Sequence, residues 1–209
     1  MPEDDPRMST GRLDAAQIHL LRGDFAQSIP LIQRTLRVSE KTRDPVHAAQ
    51  ALMMLGRCAR NMGFQERALS HFERAYNLFV EHENVWGTGW SLFSLGELHM
   101  TLGNYETAKT MLHESLAHPE FADNPQNHGR ALMILAELYV HTKQWDQASE
   151  YAQQALTLSE KNHDQISQAY CYNILGEHER RRGRLKEARA YYMRAIFMLR
   201  TLGSLEFVF

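Results

Sequence analysis

The feature that most constrains this chain is a fixed period. Gly23, Gly63, Gly103, Lys143 and Gly183 stand forty residues apart, and no insertion breaks the count. Around them the same words recur: Leu55-Gly56, Leu95-Gly96, Leu135-Ala136 and Leu175-Gly176 before the anchor, and Ala68, Ala108, Ala148 and Ala188 after it. Self-similarity at this spacing is the mark of stacked units, none of which can bury its apolar face alone.

A second register marks the boundaries. Asp44, Asn84, Asn124, Asp164 and Ser204 are again forty apart, all side chains that cap helix N-termini, and Pro45 and Pro125 follow two of them at the first helical position. The spacing predicts first helices over about 45–62, 85–102, 125–142 and 165–182, and second helices over about 65–82, 105–118, 145–161 and 185–202. Short turns then force each pair into an antiparallel hairpin. The fold expected is all-α, a right-handed α-solenoid of five hairpins: repeats 10–43, 44–83, 84–123, 124–163 and 164–203. Residues 1–9 read as a flexible lead-in, and 204–209 as the start of a truncated sixth unit. In repeat one, Leu13, Ala16, Leu20 and Leu21, then Ile29, Ile32, Leu36 and Val38, are the expected core, and Pro30 predicts a kink or a late helix start. The mid-helix Gly56, Gly96, Ala136 and Gly176 are expected to face Ala68, Ala108, Ala148 and Ala188 where the helices approach closely, with Leu52, Leu55, Phe72, Leu92, Leu95, Leu112, Leu132, Leu135, Leu175 and Tyr192 filling the seams.

Composition narrows the function classes. A net charge of −2 carries no electrostatic footprint for nucleic acid, and no apolar run approaches a membrane span. Cys58 and Cys171 read as buried thiols of a reducing compartment, so cytoplasmic residence is expected. The eleven histidines form no HExxH or Cys/His ligand pairing, and there is no phosphate loop or recognisable nucleophile. Neither a metal, a cofactor nor catalysis is expected. Glu177-His178-Glu179 is the densest titratable triplet, its members pointing in different directions on a helix. The basic run Arg180-Arg181-Arg182-Gly183-Arg184 reads as a helix end complementing the dipole, with an acidic partner as the sharper alternative.

Leu-Gly in the first helix, Gly plus an aromatic at the turn (Gly103-Asn104-Tyr105, with Phe25 and Trp145 elsewhere) and Ala in the second helix resemble the tetratricopeptide repeat over about 10–203. The period of forty against the usual ~34 and the Leu52, Leu92, Leu132 and Tyr172 in place of the opening tryptophan are departures. Long repeats of this kind are similar to those of MalT/LuxR-type activators and signalling NTPases. The resemblance implies a concave groove, lined by first helices, that takes a protein or peptide segment as an adaptor or sensor domain of a larger regulatory protein. Carried over by position, the groove would present Met53, Arg57 and Arg60, then Trp90, Phe93 and Glu97, then Arg130, Met133, Glu137 and His141, then Tyr170, Asn173, Glu177 and Arg181. Glu97, Glu137 and Glu177 share one repeat position, an acidic ladder for a partner with basic residues and an apolar anchor near Trp90. The competing reading makes the glutamates solvated helix formers and the aromatics inter-repeat packing. The carboxylate clamp of chaperone-binding relatives is not supported, because Leu13, Gln17, Met53 and Arg57 occupy its positions.

Two further functions stay open. Phe197, Phe207 and Phe209 at the apolar C-terminal end point to self-association as a homodimer or scaffold, or to a segment cut from a longer protein. A repeat-bearing regulatory enzyme such as a phosphatase is the third.

Overall fold

A computed structural model describes residues 5–201. Among these there are eleven α-helices and no strand: α1 Ser9–Leu21, α2 Phe25–Thr42, α3 Pro45–Asn61, α4 Gln65–Glu81, α5 Val85–Thr101, α6 Tyr105–Ala117, α7 Pro119–Ala122, α8 Pro125–His141, α9 Trp145–Lys161, α10 Gln165–Arg181 and α11 Leu185–Thr201. The boundaries follow the two forty-residue registers because local chemistry sets them. Asp24, Asp44, Asn84, Asn124 and Asp164 each accept a backbone N–H of the following turn, at 2.7 to 3.2 Å. At the hairpin turns Gly23, Gly63, Gly103 and Gly183 take φ of 73° to 81°, a left-handed backbone that glycine enters without strain; Lys143 is forced to φ 61° in the same place.

The chain divides into two compact units, 1–104 and 105–209. In the first, α1–α2 and α3–α4 are hairpins and α5 packs on α4. Leu13, Ala16, Leu20, Ile32, Ala51, Met54, Leu55 and Cys58 form a core between the first two hairpins. Leu21 is 74% exposed, outside the core expected for it. α2 begins on schedule at Phe25 and carries exposed Pro30 in its interior, so the late start does not occur. In the N-terminal lead-in Asp5 is buried. Its carboxylate caps the turn Pro6–Met8, and its carbonyl accepts a 2.7 Å bond from Arg12.

In the second unit, α8–α9 and α10–α11 are hairpins, with α9 on α10 and α6 on α8. Leu132, Ala136, Ala152, Ala155, Leu156, Cys171, Tyr172, Leu175 and Ala195 form its core. Pro119 has no N–H to extend α6, and His118 before it turns extended, ψ 112°. The short α7 that follows buries Phe121 completely.

At Gly56 and Gly176 the nearest neighbours are aromatic rings rather than the expected alanines. A Cβ on Gly56 would lie 2.4 Å from the Phe72 ring, and one on Gly176 2.8 Å from Tyr192. Each glycine makes room for an aromatic side chain of the paired second helix. Repeat four shows the exchange of volume: Ala136 replaces the glycine and Ala152 the aromatic, both fully buried.

Candidate interaction surface

In the first unit, α1, α3 and α5 meet along their sides through polar links. Arg57 donates to Gln17 Oε1 at 2.9 Å, and Arg60 forms an ion pair with Glu97. Ser91 Oγ donates to the Met53 sulfur at 3.3 Å. Met53 and Phe93 are 4% and 1% exposed, so both serve the core and offer no surface. Trp90 is half-buried and stacks on Phe93, ring centroids 5.4 Å apart, and on Trp86 at 6.1 Å with planes 9° apart. Trp86, 41% exposed, is the outermost of the three. Sequence reasoning passed over Trp86, although it stands one helical turn before Trp90 and therefore on the same face.

In the second unit, α8 and α10 carry the remaining positions. Met133 is partly buried against the core and Arg130 is half-buried. Glu137 and His141 are exposed, 3.9 Å apart, and Tyr105 stacks on the His141 ring at 5.5 Å. Tyr170 is 46% exposed, and Asn173 is exposed as well. Glu177 is saturated instead. It accepts from Arg180 and Arg181 at 2.7 Å and from the Tyr192 hydroxyl at 2.9 Å. The Arg180 hydrogen bonds foremost, with Tyr192 and Arg181, hold its carboxyl down to about 2. Arg181 also lies 3.8 Å over the Trp145 ring.

The acidic ladder is therefore uneven. Glu97 and Glu177 are held by arginines of their own unit, while Glu137 is half exposed with a weaker histidine neighbour. The basic run is likewise engaged, since Arg180 and Arg181 bind Glu177 and Arg184 binds Glu179 at 3.1 Å. Buried His178 presents its two ring nitrogens to Glu179 at 3.2 Å and Asp146 at 3.1 Å, a bridge between α9 and α10.

Both cysteines are free and buried, and burial pushes the Cys171 thiol up to about 12, away from nucleophilic thiolate. Among the described residues, no group of three or more His, Cys, Asp and Glu side chains could hold a metal ion. No described helix is long and apolar enough to cross a membrane. On α11, Phe197 and Met193 one turn before it are 69% and 57% exposed; Phe207 and Phe209 lie outside the described residues.

The family model described as the MalT-like TPR region matches residues 13–204. Solved structures share the fold at low identity. BtubC from P. vanneervenii superposes with a TM-score of 0.77 at 20% identity, over 90% of this chain and 78% of that one. A kinesin light chain with TPR-like repeats from Podosopora anserina gives 0.70 at 16% identity, over 96% of this chain and 99% of that one. A Rap protein complexed with competence and sporulation factor gives 0.73 at 15% identity, over 96% of this chain and 66% of that one. No curated protein matches the sequence.

Proposed function

The chain belongs to the MalT-like TPR family, and from that premise we propose that it is a non-catalytic interaction module, an adaptor or sensor region that takes a protein or peptide segment on its first-helix faces. The observation that carries this reading is the Trp86–Trp90 stack. Two indoles one above the other, the outer one 41% exposed, keep a flat apolar surface in water on α5, the helix that further along carries Glu97 of the Arg60–Glu97 pair. Rigid aromatics flanked by charge are the usual anchors of protein recognition. In the second unit, Glu137, Tyr170 and Asn173 supply exposed polar partners of the same class. The Rap protein whose fold it shares was solved with a bound factor, which favours a partner here too.

Affinity capture with the full chain tests the reading. Trp86→Ala and Glu137→Lys alter exposed side chains and should leave the helical circular dichroism unchanged. A partner held through the first unit should be lost from Trp86→Ala, and one held through the second from Glu137→Lys. Identical capture by all three proteins would refute the assignment. Self-association has its own supporting observation in exposed Met193 and Phe197. If it is the function, sedimentation will show a mass rising with concentration, and Phe197→Ser will abolish the rise.

A further inference from the structure

The two units contain the same piece of architecture with and without a filling. In the first, a cavity of about 530 Å³ opens between α2, the start of α3 and α4, lined among others by Ser39, Glu40, Ala48, Leu52 and Arg74. Three repeats further on, each of these residues has a counterpart 120 positions along: Ser159, Glu160, Gln168, Tyr172 and Arg194. Serine, glutamate and arginine are kept; alanine becomes glutamine and leucine becomes tyrosine.

Those two larger side chains occupy the corresponding place in the second unit. Tyr172 is 7% exposed, its hydroxyl donates to Glu160 Oε1 at 3.3 Å, and the Arg194 guanidinium lies 5.6 Å over its ring. Gln168 Nε2 donates to the Ser159 carbonyl at 2.9 Å, and Ser159 Oγ finds the Leu156 carbonyl at 2.9 Å. Tyr191 stacks on Tyr172, ring centroids 6.1 Å apart.

In the first unit the same recognition groups are present without the ring. Arg74 and Glu40, with no phenol between them, pair with each other at 3.4 Å. Ser39 Oγ is buried without a partner, and so is Nδ1 of His71, the residue in register with Tyr191. A volume of this size falls in the range of ligand pockets.

We propose that this cavity is a docking site for a tyrosine side chain of a partner segment. The phenol donates to Glu40, the ring slides under Arg74, and the apolar floor of Leu36, Leu52 and Leu78 takes its edge. The mouth lies at the exposed Glu40 and Arg74, so the partner's backbone stays in solvent while one side chain enters. The site uses none of the residues proposed above for partner binding and stands or falls separately from them.

The test is titration of the full chain with N-acetyl-tyrosinamide, followed through the methyl resonances of Leu52 and Leu78. Saturable shifts are expected, with N-acetyl-phenylalaninamide binding roughly tenfold more weakly for want of the hydroxyl bond to a carboxylate. The double variant Ala48→Gln/Leu52→Tyr copies the filling of the second unit and should abolish the shifts. Should it fail to fold, Glu40→Gln, at an exposed position, should weaken the preference for tyrosine over phenylalanine, because a neutral amide oxygen accepts the hydroxyl less strongly than a carboxylate. Absence of shifts, equal binding of the two probes, undiminished binding by the folded double variant, or an unchanged preference in Glu40→Gln would each overturn the proposal. Tighter binding of free tyrosine than of the capped amide would assign the cavity to a metabolite and overturn the partner segment.

Discussion

Lys143 carries a conformational cost that its four counterparts avoid. A side chain at left-handed φ costs roughly 1–2 kcal/mol, of which the greater chain entropy of glycine would return about 0.5–1. Lys143→Gly should therefore raise stability by about 0.5–1 kcal/mol, seen as a higher urea midpoint at unchanged m. Glu177 makes the second residue-level expectation. Its folded pKa lies near 2, below the ordinary 4.5, so its contribution to stability is complete above that ordinary value and is lost as pH falls towards 2. Melting temperatures of wild type and Glu177→Gln should differ at about pH 6 and converge as pH drops towards about 2. A gap that stays constant over that range would show the arginine bonds to be energetically idle.

Within the helical pair, size is traded across the seam. Phe72 is fully buried, so its ring cannot retreat from a Cβ placed 2.4 Å away at Gly56. Gly56→Ala gains up to ~1 kcal/mol of helix propensity and loses about 1–3 to overpacking, so a net loss of about 1–2 is expected in denaturation. In a Phe72→Leu background the penalty should shrink to a few tenths of a kcal/mol, a coupling that a double-mutant cycle reads directly. Turns and caps were legible beforehand because Gly63 and Asp44 act on their own backbone. Depth was not. On α5 every residue from Gly87 to Gly96 except Trp90 is buried, so periodicity had no polar face by which to place Phe93 inside. α7 escaped for the opposite reason: Pro119 announces a break, but only tertiary packing decides that Phe121 is buried after it. The glycine partner was misplaced by one turn, from Ala68 to Phe72, a distance that a repeating pattern alone does not resolve.

Within each unit, the described helices that touch are neighbours in the chain or one place removed. Low sequence separation between touching residues favours rapid folding. Stopped-flow refolding from urea should be complete in milliseconds or faster for its main phase; a main phase of seconds would contradict a chain held together locally. The candidate surface was less legible than this framework. Arg60, Glu97 and Glu177 were placed on the right helices, but which charges are spent on one another depends on rotamers that a linear pattern does not record. The matched sizes of Gly56 with Phe72 and of Ala136 with Ala152 also constrain inheritance. Swapping either member alone between repeats creates a clash or a hole, whereas transplanting the whole hairpin carries both halves of the fit together. Duplication in blocks of forty keeps such compatible pairs intact, while piecemeal exchange separates them.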